Sequence, residues 1–266
     1  MWNDVVDLRE FYASRSGQVA RHLIRHGIRQ LWPDLRSQAV LGLGFATPYL
    51  RQFRDEAERL IAVMPAAQGV VHWPPEGPYV TCLADETELP LPDYSVNRVL
   101  LVHAVESGDY LRDMLQEVWR VMTSDGRLLV VVPNRRGIWA RLERTPFGHG
   151  HPYSPAQLSR LLRENSFTPT RSARALYIPP TRSPWLLRSA AAWERMGQTW
   201  FPRFAGVHRV EAGKQLYAAS PRRAAERRRR PLVVPVSRPL SAYQGERPRR
   251  ANRIRIVEAP SGRTPR

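Results

Sequence analysis

Two stretches of this chain carry residues of the types and spacing that chemistry needs. The first is 133–154, PNRRGIWARLERTPFGHGHPYS, which follows an apolar run. It gathers Arg135, Arg136, Trp139, His149 and Tyr153 around three glycines. The paired arginines suit an acidic substrate, and His149 or Tyr153 suits removal of a proton from an oxygen nucleophile. The plainer alternative is a lid that packs Trp139 and Phe147 on the body and exposes its charges. The second stretch, 40–50, VLGLGFATPYL, reads as a strand, a bend at Gly44 and a helix that starts with Thr47 as N-cap and Pro48 at N1. The positive end of such a helix attracts an anionic group. His103, at the end of the apolar run 95–105, is a further candidate base, against the plainer reading of a hydrogen-bonded strand-end histidine. A metal centre is not expected. His149 with His151, and His22 with His26, have ligand-like spacings but lack a cysteine or a placed carboxylate.

The elements that must hold these residues alternate along the chain. Helical spacing runs over 5–31, through Val5, Leu8, Phe11 and Tyr12, then Val19, Leu23 and Ile28. Strands are expected at 38–44, 59–64, 78–84, 95–105 and 126–134, with helices from Thr47 to about Arg59 and over 110–122. A helix at 154–165 has Ser154 as N-cap and Pro155 at N1. Two last strands are expected at 167–178 and 209–218, separated by an amphipathic helix at 183–200. Strands apolar on both faces that alternate with helices imply a mostly parallel sheet covered on each side.

Composition bounds the function classes. A chain of 266 residues, 42% of them hydrophobic and eight of them Trp, is long and apolar enough to fold around a core. It has no apolar run of membrane-spanning length, and its acidic start does not read as a signal peptide. The single cysteine, Cys82, rules out an internal disulfide and suits the cytoplasm. The net charge is +17, but 14 Arg and 3 Glu fall between 220 and 266, which leaves +6 for residues 1–219. That Arg/Pro-rich tail reads as disordered; its bland role is a solvated extension, its functional one a tether to nucleic acid or an anionic membrane.

Four stretches together resemble the class I S-adenosylmethionine-dependent methyltransferases of the type 11 group: VLGLGFATPYL, 83–106 (LADETELPLPDYSVNRVLLVHAVE), 115–134 (LQEVWRVMTSDGRLLVVVPN) and 153–167 (YSPAQLSRLLRENSF). The resemblance implies a Rossmann-like seven-stranded sheet, parallel except for one reversed strand near the edge, with helices on both faces. It divides the chain into an N-terminal helical segment (1–34), a methyltransferase-like domain (35–219) and the tail (220–266). It implies S-adenosylmethionine as cofactor, held by Gly42, Gly44, Ala46, Thr47, Met64, Asp85, Glu86 and His103, with Glu106 facing the same site. The methyl group would pass to an unidentified acceptor by in-line displacement, in a site that orients the reactants and excludes water. The motif is altered: Gly42 stands for the family's acid, Ala46 and Pro48 for its second and third glycines, and Met64 for the acid that accepts from the ribose hydroxyls. Gln68 is a substitute acceptor, and Ala46 would cost about 1 kcal/mol if its φ were positive. The alternative implied by these losses is a non-catalytic binding or scaffold protein of the same fold.

Overall fold

A computed structural model describes residues 2–181 and 183–216. Its centre is a seven-stranded sheet in the order β3-β2-β1-β4-β5-β7-β6. The strands are β1 (Ala39–Gly44), β2 (Arg59–Pro65), β3 (Thr81–Ala84), β4 (Val96–Val102), β5 (Met122–Pro133), β6 (Phe167–Ala175) and β7 (Val207–Lys214). The first five pair in parallel, and β7 runs antiparallel to both of its neighbours. The expected sheet, with one reversed strand beside the edge, is therefore borne out.

Burial explains the arrangement. All six residues of β1 are buried, as a central strand with cover on both faces requires. Alternate residues serve two cores: Leu41, Leu43, Val99, Leu101 and Val130 face one side, while Val40, Leu100, Leu129 and Met64 face the other. On the first side the sheet is covered by α4 (Leu111–Val121) and α5 (Pro155–Glu164), through Leu115, Val118, Leu158 and Leu162. The second side is covered by α1 (Val5–Ala13) and α2 (Arg15–Leu31), through Leu8, Tyr12, Ile24 and Ile28. Ser14 separates those two helices, accepting from the Gly17 N–H through its hydroxyl oxygen.

Several boundaries differ from expectation. The helix after β1 is a single turn, α3 (Thr47–Leu50), followed by a 3-10 turn at Arg51–Phe53. Its apolar residues Tyr49, Leu50 and Phe53 are fully buried, and the chain then turns through a bridge between Arg36 and Ala57 into β2. Thr47 is not its cap. The N-cap is Ala46, which makes no side-chain cap bond. The expected helix at 183–200 is two helices, α6 (Pro184–Arg188) and α7 (Ala190–Trp200), parted at Ser189. β3 starts later than expected, and β5 starts earlier, at Met122 beside Val96. Ser154 does cap α5, in a reciprocal arrangement with Gln157. Residues 217–218 of the last expected strand, and the tail at 220–266, lie outside the described residues. No helix of the described residues is long and apolar enough to cross a membrane.

Candidate functional site

The C-terminal ends of β1, β2 and β4 converge under helix α1. After β1 the chain bends at Gly44, whose φ of +80° suits glycine and whose missing side chain leaves room for the Val102 carbonyl. The bend is tied to β4 by the Phe45 N–H, which donates to that carbonyl at 2.9 Å. β4 ends at Val102, and His103 directly after it sits at φ +53°, a conformation that costs a non-glycine residue about 1 kcal/mol. β2 runs into a turn in which the Gln68 N–H donates to Pro65 at 2.9 Å.

Helix α1 is fastened across this junction at three points. Its first residue, Val5, donates its N–H to the Gln68 carbonyl at 2.9 Å. Phe11 packs edge-on against Trp139 and Phe147 of the loop after β5. Between them, Tyr12 stacks on Phe45 and joins a buried chain of hydrogen bonds. The Tyr49 and Tyr12 hydroxyls lie 2.8 Å apart, Tyr12 Oη lies 2.8 Å from His103 Nε2, and His103 Nδ1 lies 3.1 Å from Glu106 Oε1. One proton arrangement satisfies all three contacts: Tyr49 donates to Tyr12, Tyr12 to Nε2, and Nδ1–H to the carboxylate. Burial first, then the neighbouring tyrosine and carboxylate, hold the Tyr12 hydroxyl well above the usual phenol range, and burial does the same for Tyr49. Both hydroxyls therefore act as hydrogen-bond bridges, not as ionised bases, at neutral pH.

Not every polar group here is paired. Neither Nε2 nor Oε1 of the buried Gln68 makes a hydrogen bond, nor does Oε2 of Glu106. Gln68 and Glu106 are each 2% exposed, so bulk solvent does not reach them. Unpaired buried polar atoms of this kind cost about 1–3 kcal/mol each.

The expected cofactor residues sit around this junction in varied states. Gly42 lies under α3, where an added Cβ would meet Leu50 at 2.5 Å and Ala46 at 2.8 Å. Ala46 has φ −86°, so the strain expected of a positive φ there does not arise. Thr47, Ala46 and Met64 are buried, and the Met64 sulfur accepts from the Val71 N–H at 3.4 Å. Asp85 is exposed, and its carboxylate closes its own turn by accepting from Thr87 N–H and Oγ1 at 2.8 and 2.6 Å. Those two bonds hold its pKa below the usual carboxylate range. Glu86 is buried beside it in sequence.

The residues expected to meet a substrate are not gathered in one place. Trp139 is buried and donates from Nε1 to the Ile178 carbonyl at 2.7 Å, so it anchors the loop. Arg135 and Arg136 are exposed, and Arg135 shares a shallow recess with Tyr153. The Tyr153 hydroxyl lies 3.5 Å from the Val105 carbonyl, just beyond the end of β4, and burial and then the Glu106 carboxylate push its pKa above the usual phenol value. His149 instead lines a cleft of about 1240 Å³ between the outer side of α1 and the loop, together with Asp4, Asp7, Glu10 and Glu143. Among the described residues no group of three or more His, Cys, Asp or Glu is arranged to hold a metal ion.

Sequence reasoning missed Tyr12 and Tyr49 as members of the site. Helical spacing places Tyr12 on an apolar face, and the signal of its further role is its hydroxyl, which a buried tyrosine must satisfy.

Comparison with known proteins agrees with this topology. Residues 39–130, about a third of the chain, match the family model for a methyltransferase domain. No curated protein matches the sequence. Solved structures of the same fold include an S-adenosylmethionine-dependent methyltransferase of Thermotoga maritima, 16% identical, covering 79% of this chain and 95% of its own at a TM-score of 0.55. A Haloferax volcanii protein solved with the Trm112 methyltransferase activator is also 16% identical, over 79% of this chain and 98% of its own, at 0.57. A methyltransferase of Archaeoglobus fulgidus is 20% identical over 73% of this chain and 94% of its own, at 0.52.

The cofactor of the matched domain is S-adenosylmethionine, and in this fold it belongs at the C-terminal ends of the first strands. As packed here that crevice does not fit it. Phe45, Ala46, Tyr49 and Met64 form one continuous core with Val5, Leu8 and Tyr12 of α1, and Met64 offers the ribose no acceptor where the family has an acid. In its sheet and strand order the chain has the fold of the class I S-adenosylmethionine-dependent methyltransferases, and its central stretch, 39–130, matches the methyltransferase-domain model, with an altered and covered cofactor turn.

Proposed function

We propose that this protein is a methyltransferase whose cofactor crevice is closed by its own helix α1, which must withdraw before S-adenosylmethionine enters. The observation that carries this reading is the set of unpaired polar atoms buried at the ends of β2 and β4, on Gln68 and Glu106. A core that had lost all use for a ligand would be expected to shed such groups, because apolar replacements are cheaper to bury. A ligand with hydroxyl and amino groups repays their cost. Gln68, which follows the strand whose last residues lack an acid, is the group we assign to the ribose side. Glu106 with His103 we assign to the end nearer the acceptor. Tyr153 and the loop 134–154 we assign to the acceptor itself, whose identity stays open.

A second reading, a binding or scaffold protein that has lost its cofactor, is favoured by a different observation. Leu50 and Ala46 fill the space over Gly42 where the family carries a carboxylate. Calorimetry with S-adenosylhomocysteine separates the two, using the whole chain and a Leu8→Ala/Tyr12→Ala variant checked for folding by circular dichroism. The methyltransferase reading expects binding that tightens about tenfold or more in the variant, since closure taxes the wild-type affinity. No heat of binding from either protein at millimolar ligand sinks it and leaves the scaffold reading.

A further inference from the structure

We propose that the insertion between β6 and β7, residues 183–204, docks this protein on an anionic lipid surface. The insertion is folded against the sheet by one face only. Along α7, Ala190, Trp193, Glu194 and Gly197 point inward, and Gly197 lies so close to the Tyr177 ring that a side chain there would collide with it. Bordering that face, Met196 and Trp200 stand one helical turn apart and exposed, and the chain continues at once into Phe201 and Phe204. These are 42%, 74%, 54% and 54% exposed, and Trp185 at the start of α6 is 75% exposed. Isolated exposed apolar residues are ordinary, but large aromatic ones concentrated on one 22-residue segment mark an interaction surface.

Charge identifies the occupant. Arg188, Arg195 and Arg203 are exposed on the same segment. Its sole acid, Glu194, is turned away, its carboxylate accepting from the Leu176 and Tyr177 N–H groups at 3.0 Å each. The outward side thus presents tryptophan, phenylalanine and arginine with no anion among them. Indole rings settle at the level of lipid headgroups, and arginine binds phosphate while its stem lies along apolar surface. A protein partner would meet the same aromatic side chains, but nothing in the segment supplies the mixed-sign charges that fix the register of a protein interface.

Position makes the docking useful. The insertion leaves β6 at Ala175 and enters β7 at Val207, and these two residues are paired with each other, while Val207 also pairs with Pro133 at the end of β5. It therefore hangs from the same end of the sheet as the loop 134–154, to which it is bonded through Asn134 Nδ2 and the Arg203 and Ala205 carbonyls at 3.0 and 2.6 Å. Docking through the insertion brings that loop to the lipid.

The test uses the full chain with vesicles of phosphatidylcholine alone and of phosphatidylcholine with phosphatidylglycerol, read by flotation and by quenching of tryptophan with lipids brominated in their tails. The variant is Met196→Ser/Phe201→Ser/Phe204→Ser, which alters exposed residues only and keeps Trp185 and Trp200 as reporters. The proposal expects flotation with the anionic vesicles, tail quenching of tryptophan, and a fall of about tenfold or more in partitioning, with loss of quenching, in the variant. Arginines at 220–266 attract anionic vesicles equally in both proteins, so quenching, which needs apolar insertion, is the deciding signal. The proposal is overturned if neither vesicle binds, or if the variant partitions and is quenched like the wild type. It is equally overturned if light scattering shows a wild-type dimer that the variant turns into a monomer, since a second copy then covers the face.

Discussion

Tyr12 Oη lies 2.8 Å from His103 Nε2, and this one contact joins the first helix of the chain to the end of its central strand. The two residues are 91 positions apart and both are buried, so the bond exists only once the sheet has formed and α1 has closed over it. It also bears on the imidazole: with Nε2 accepting from Tyr12, Nδ1 is the nitrogen that donates to Glu106.

Tyr12→Phe tests what that bridge contributes. The substitution keeps the ring that stacks on Phe45 but strands Tyr49 Oη and His103 Nε2 in the core. We expect a loss of about 1–3 kcal/mol in urea denaturation, the usual cost of leaving buried polar atoms unpaired. An unchanged midpoint would mean that the closed junction is already open in solution.

Gly42→Asp restores the acid that related turns carry, yet we expect it to damage the protein. Its Cβ would lie 2.5 Å from Leu50 Cδ1 and 2.8 Å from Ala46 Cβ, and its carboxylate would enter a core without a partner. Steric and burial costs together give about 3 kcal/mol or more of destabilisation. The check is thermal denaturation beside titration with S-adenosylhomocysteine, where the expected outcome is lower stability and no gain in affinity.

His208 supplies a pH dependence with a definite sign. It is buried in β7, and desolvation, aided by the charge of Arg174, pushes its pKa down to about 4. In the unfolded chain the same ring titrates near about 6.5. Between those values the unfolded state takes up a proton that the folded state refuses, so stability falls as the pH falls through that window. The full effect is at most about 3 kcal/mol by linkage. Carboxylates held acidic in the fold also lose stability at low pH, so the measurement is a difference: His208→Gln should flatten the slope of unfolding free energy between pH 7 and pH 5 relative to wild type.

Glu194 fastens the insertion to the sheet by accepting from two successive N–H groups, Leu176 and Tyr177, the first of which sits at φ +70°. Glu194→Ala leaves both donors without that partner. A loss of about 2 kcal/mol is expected, together with faster proteolysis within 183–204 than elsewhere in the body. Equal cleavage rates for wild type and variant would show that the aromatic packing of Trp193 holds the segment without it.

What could be read ahead of the structure, and what could not, divides by range. The all-apolar β1 and the branched run of β4 announced a parallel sheet, and Ser154-Pro155 announced a helix start, because strand burial and capping depend on neighbours in sequence. The length of α3 was not legible. Tyr49, Leu50 and Phe53 keep helical spacing, but the bridge from Arg36 to Ala57, set by tertiary contacts, ends the helix early. Nor was the role of Tyr12, whose partners Tyr49 and His103 come from other elements. Nor was the local role of Asp85, whose Oδ1 accepts both bonds from Thr87, two residues on.

The antiparallel strand β7 has a consequence beyond the shape of the sheet. Because it returns between β5 and β6, the loop 134–154 and the insertion 176–206 leave the sheet side by side and are stitched together, by Trp139 to Ile178, Arg144 to Pro180 and Asn134 to Gly206. None of those bonds involves β1, β2 or β3. The two segments therefore form a cassette: a stretch of surface that can diversify, or be exchanged with that of a relative, as one piece while the half of the sheet that houses the cofactor turn keeps its own sequence.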